Sequence, residues 1–201
     1  MDQDDRQQLV FIPRNAQGVT ITDDWDGFGQ RTTGSGSVSF RAVEVQPEWI
    51  IPFQSSFETP TAIGPLAQIM HAAIDLGIGK GALDATLPFV RDRARPWIDA
   101  QVARAADDPL LIAGVGEVHV RLRAAEALLD RAGRAVDEAI ADPTEFTVAQ
   151  ASLAVAAARA LTTTAGLLAA SKLFELTGTS ATFTEDNLDR HWRNVRTHTL
   201  H

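Results

Sequence analysis

Between residues 118 and 139 the apolar residues Val118, Leu122, Ala125, Leu129, Ala132, Val136 and Ala139 recur at alternating spacings of four and three. An α-helix turns once in about 3.6 residues, so this spacing lays one apolar seam along a long helix. A seam of this kind packs against near-parallel neighbours, as in a bundle or coiled coil. Its start is marked by Asp108 as N-cap and by Pro109 at the first helical position. Two further segments supply neighbours. Ile63 to Arg93 reads as a helix with Ala73, Gly77, Gly81 and Ala85 at four-residue spacing, a stripe of small residues that lets another backbone approach. Pro88 is expected to kink that helix or to remove one of its hydrogen bonds. Glu145 to Leu176 is alanine-rich on all sides, and Arg159 is its only charge between Phe146 and Ser171, which predicts a central helix. Thr184, Glu185 and Asp186 read as the start of a fourth helix. Together these predict an antiparallel four-helix bundle over residues 56–201.

The first 55 residues follow another period. Gln8 to Arg14, Val19 to Trp25 and Ser35 to Val45 are short β-branched and aromatic runs, and the last alternates as a half-buried antiparallel strand does. Asn15 to Gly18 reads as the turn between the first two. Three strands leave open edges and make no stable barrel, so the β part is expected to be incomplete. The fold class is α+β: a partial antiparallel β-barrel, residues 1–55, followed by the bundle.

Composition narrows the function. A net charge of −8 argues against a general nucleic-acid binder. The chain holds no cysteine, which removes disulfides, thiolate metal sites and cysteine nucleophiles. Residues 1–8 lack the plan of a signal peptide, and the apolar stretch from Phe146 to Phe174 is mostly alanine, so the expectation is a cytoplasmic protein without a membrane span.

Three constellations can carry chemistry. Near the C-terminus, helical periodicity puts His191, Asn194, His198 and His201 on one face and Arg190, Arg193 and Arg196 on the next. Imidazoles one turn apart can share a metal, but no Glu-x-x-His pair occurs, and a ligand with phosphates and a polar ring suits the pattern better. The second is Trp25 to Ser37, a loop with Gly27, Gly29, Gly34 and Gly36 that matches neither phosphate-binding fingerprint. The third is Phe89 to Trp97, where arginines near a helix C-terminus are favoured by the dipole whatever the function.

Taken in order, Trp25, Gly29-Gln30-Arg31, Ser35, Phe89-x-x-x-Arg93, Gly178 and Arg190-x-x-Arg193-x-x-Arg196 resemble the middle and C-terminal domains of acyl-CoA dehydrogenases. Arg93-x-Arg95-Pro96-Trp97, Asn187-Leu188-Asp189-Arg190-His191-Trp192-Arg193-Asn194 and His198 to His201 resemble the monooxygenase branch, with its dibenzothiophene monooxygenases and sulfur-acquisition oxidoreductases. The resemblance implies a flavin, FMN or FAD, held between subunits of a homotetramer, and a separate reductase supplying it reduced. It implies cofactor contacts at Arg93, Gly178, Trp25 and Arg193, and catalytic roles for His198, His201 and Ser35, the histidines and the serine holding activated oxygen beside a small organosulfur substrate. It also implies that the family's N-terminal domain and the first half of the barrel lie outside these residues. Thr197 to His201 holds no acid to serve as a dehydrogenase base. The alternatives are an acyl-CoA dehydrogenase acting on a thioester and a non-catalytic oligomerising bundle.

Overall fold

The computed structural model describes residues 6–201, which divide into two compact units. One comprises residues 6–27 and 31–61, and the other residues 28–30 and 62–201.

The first unit holds four short strands: β1 (Leu9–Val10), β2 (Val19–Thr22), β3 (Ser37–Phe40) and β4 (Ile50–Ile51). They pair antiparallel as β1 with β4 and β2 with β3, Val19 facing Phe40 and Thr22 facing Ser37. No closed barrel exists among the described residues. The turn at residues 15–18 is present, with Gly18 at φ 88°, but the strands it joins pair with other partners. The expected half-buried strand is corrected: Ile21, Val38 and Phe40 are all exposed, because no layer of this unit covers either face of the β2–β3 pair. Asp24 fastens its end, accepting from the Ser37 backbone and hydroxyl at 2.7 Å each. Those bonds hold the Asp24 carboxyl below its ordinary pKa.

The second unit is four helices: α1 (Ile63–Asp92), α2 (Pro109–Ala141), α3 (Glu145–Thr177) and α4 (Asp189–His198). Asp108 caps α2 by accepting from the Leu110 amide at 2.8 Å. Thr144 and Thr147 exchange side-chain and backbone bonds at the start of α3, a capping box that satisfies two amides left free by the first turn. The predicted seam is the buried face of α2: Val118, Leu122, Ala125, Ala132, Val136 and Ala139 are buried and Leu129 half-buried. Helix α3 lies at the centre, packed against α1, α2 and α4. By length and composition it is apolar enough to cross a membrane; here its alanine faces fill the bundle core.

Two expectations are corrected in the helical unit. The predicted stripe holds in part: Gly81 lies against the His191 ring and Ala85 is half-buried, but Ala73 and Gly77 face outward, and α1 and α3 approach at Gly79, whose Cβ would stand 3.0 Å from Gly166 Cα. The fourth helix starts at Asp189 and not at Thr184, because Asn187 takes the left-handed conformation, φ 46°, and turns the chain first. Helix α1 runs through Pro88 without ending.

Candidate active site

Helices α1, α3 and α4 bring polar groups together in an otherwise apolar core. Four residues apart on one face of α1 stand His71 and Asp75. Asp75 is fully buried, its Oδ1 lying 2.7 Å from His198 Nδ1 and its Oδ2 accepting the Thr163 hydroxyl at 2.9 Å. His198 is 5% exposed, and its Nε2 lies 3.3 Å from His71 Nδ1. His201 stacks on His71 with ring centroids 5.5 Å apart and tilts over His198 at 5.6 Å. Arg159, the only charge of α3 between Phe146 and Ser171, donates to Gln68 and to the His201 carbonyl. Burial, with Arg159 and the neighbouring imidazoles, pushes the His71 pKa below its ordinary value, so His71 is held neutral. Among the described residues no three His, Asp or Glu side chains converge in metal-holding geometry.

The predicted histidine face separates into parts. His198 and His201 join His71. Asn194 turns to the glycine-rich loop and accepts from the Gln30 amide at 2.8 Å. His191 packs over Gly81, its Nε2 buried without a hydrogen-bond partner and its pKa lowered by burial. The arginine stripe does not converge either. Arg193 binds Asp189 at 2.7 Å and the Phe28 carbonyl at 3.0 Å, while Arg190 binds the Asn187 carbonyl at 2.7 Å.

These contacts show what the loop approaches closely. Gly29 is buried, and a Cβ there would collide with the Arg193 carbonyl and the Thr197 hydroxyl. Phe28 stacks on Trp192 at 5.8 Å. Trp25 and Ser35 belong to the first unit. The half-buried Trp25 indole lies against Gly27, and the exposed Ser35 hydroxyl is 2.8 Å from that of Thr33.

Arg93 lies beneath α1, stacked over Phe89 and paired with Asp186, including a 2.9 Å bond to Oδ2. Its neighbour Arg95 has no ion pair among the described residues and lines a cavity of about 460 Å³ with Trp97, Asp108, Thr177 and Gly178. Gly178, at φ 75°, ends α3, and space for a side chain there is open.

Sequence reasoning missed His71, Asp75 and Thr163. The available signal was an imidazole and a carboxylate one turn apart, on a helix whose inner face is otherwise apolar or small.

Residues 69–201 match the family model of the acyl-CoA dehydrogenase C-terminal domain. The chain is 36% identical over 198 residues to a probable FMNH2-dependent monooxygenase, SfnC, of Pseudomonas putida, covering 96% of this chain and 50% of the relative. It is 35% identical over 214 residues to dibenzothiophene monooxygenase of Rhodococcus erythropolis, covering 99% and 51%. The crystal structure of FMN-bound TdsC from Paenibacillus sp. A11-2 superposes with a TM-score of 0.91 at 33% identity, over 98% of this chain and 52% of that one. The chain thus spans about half the length of the curated relatives it matches.

Proposed function

The chain belongs to the acyl-CoA dehydrogenase C-terminal domain family, and from that premise we propose that it forms the bundle side of an FMN-dependent monooxygenase acting on small apolar organosulfur compounds. The observation that carries this reading is a cluster of imidazoles, His71, His198 and His201, gathered by α1 and the end of α4. The acid of the cluster, Asp75, is fully buried and occupied by His198 and Thr163. His71 and His201 are the groups left to hold or move a proton. The likeness to a probable FMNH2-dependent monooxygenase and to an FMN-bound structure supports the same reading.

The residues present fit a flavin mononucleotide. Arg95 is a cation without a partner among the described residues, beside the open turn at Gly178 and the exposed Trp97 indole. Asp108 and Glu175 also line this cavity, the first bound to the Leu110 amide and the second to Lys172, so Arg95 carries its unpaired charge, which suits a phosphate, with the Trp97 indole for an adjoining planar ring. Arg93, neutralised by Asp186, would position the segment that carries Arg95. Bound in reduced form, the flavin would supply the electrons that activate dioxygen. His201 would then donate a hydrogen bond to the oxygen being transferred, with His198 acting behind it through His71, and the apolar core would exclude water. Arg193 would hold the Phe28–Gln30 segment in place. On the same reading the strand pairs are the remnant of a barrel, the assembly is a homotetramer in the cytoplasm, and a reductase delivers the flavin.

The test is a titration of FMN into the intact protein, following quenching of flavin fluorescence. Saturable binding weakened at least about tenfold by Arg95→Ala, a loss of one charge-assisted contact, is the expected result. No binding up to millimolar FMN would refute the proposal.

A further inference from the structure

The buried carboxylate of the cluster has a use of its own. Asp75 faces three groups of its cluster: Thr163, which donates to Oδ2 at 2.9 Å, His198 Nδ1 at 2.7 Å, and beyond it His71 at 3.3 Å from His198 Nε2. An ionised carboxylate only accepts, so His198 carries its proton on Nδ1. A neutral His198 then presents a lone pair at Nε2, and His71 must donate from Nδ1. His71 Nε2 is consequently a bare acceptor at the outer end of the chain, on a half-buried ring stacked with His201.

We infer that Asp75, His198 and His71 form a buried one-proton store that serves His201. A proton taken up at His71 Nε2 releases the His71 Nδ1 proton to His198 Nε2. The positive charge thereby moves from His71 onto His198, where the Asp75 carboxylate faces it. Return of the proton reverses both transfers, and no electrons move. Asp75 and Thr163 are positioning residues in this scheme: they fix which His198 nitrogen carries the resting proton, and therefore the direction of the relay. Two features favour charge on His198 over charge on His71. Asp75 touches the first ring directly, whereas Arg159 lies near the second and disfavours a cation there. The titratable and charged groups around His71 are Asp75 on its own helix, Arg159 on α3, and His198 and His201 at the end of α4.

The role assigned to the store rests on the monooxygenase reading, but its existence is testable without flavin. In the intact protein labelled with ¹⁵N-histidine, side-chain NMR at neutral pH should show His198 protonated at Nδ1 and bare at Nε2. On acidification the first proton bound by the cluster should appear on His198 Nε2, with His71 reporting the same step. Asp75→Asn, which replaces an acceptor-only carboxylate with an amide that can also donate, should let both His198 tautomers appear. His71→Gln should uncouple His198 from that step while leaving FMN binding unchanged, and should lower kcat at least about tenfold with KM held. A resting proton on His198 Nε2, or a His71 that titrates without moving His198, overturns the inference. If the spectra behave as expected but no FMN binds, the store stands and the monooxygenase reading falls.

Discussion

Gly166 marks how little room the bundle leaves. A Cβ there would stand 2.9 Å from the Asp75 carbonyl and 3.0 Å from a Val195 methyl, where α1, α3 and α4 meet behind the histidine cluster. Backbone cannot yield as a flexible side chain can, so Gly166→Ala should destabilise the protein by about 1–3 kcal/mol. Gly77 lies on the same α1 helix as Asp75 but faces outward with nothing near it, so Gly77→Ala should stabilise by about 0.5–1 kcal/mol through helix propensity alone. Urea denaturation of both variants checks the pair. Equal effects, or the opposite order, would mean that the close crossing is not where the structure puts it. Gly29 is the third tight position: its Cβ would meet the Arg193 carbonyl, and Gly29→Ala should loosen the loop from α4.

Among the elements, α2 was the most legible, because its information is local. The seam, the Asp108 cap and Pro109 all act within a few turns of one another, and each appears as read. Asp108→Ala should therefore cost about 1 kcal/mol, and Leu122→Ala, opening a void in the core, about 2–5 kcal/mol. Thermal unfolding followed by helicity distinguishes the two. What depends on distant partners was not legible. Asp75 meets His198 across 123 residues of sequence, and the spacing within either helix says nothing of that encounter. Periodicity found His198 and His201 but also grouped His191 and Asn194 with them. Helix α4 rotates those two toward Gly81 and the Gln30 amide instead. The small-residue stripe held only in part for a related reason: four-residue spacing picks a face, but only packing tells that Gly79, not Gly77, meets α3. At the N-terminal strands, alternation was read as burial although no layer of that unit supplies a cover.

At the scale of the whole molecule, two half-buried imidazoles couple stability to pH. His71 and His191 both lie below the ordinary histidine value, chiefly because burial disfavours the charged ring. Arg159, His198 and His201 add to this at His71 against Asp75, and Arg190 adds to it at His191. The unfolded chain therefore binds more protons than the folded one at pH values just below about 6.5, and stability rises with pH in that window. The melting temperature should be flat above neutrality and fall on acidification, and His191→Gln should flatten the fall. A melting temperature that climbs as pH drops would reverse the assignment of these rings as neutral.

On the proposed function, the imidazoles of this bundle serve oxygen transfer. The most direct test supplies the intact protein with reduced FMN, ¹⁸O-labelled dioxygen and small organosulfur compounds, dibenzothiophene among them, and weighs the products. The account predicts a product carrying one labelled oxygen atom, strongly reduced by His201→Ala. Flavin bound and reoxidised without label in any organosulfur product, or reduction of the flavin by an acyl thioester, would contradict it.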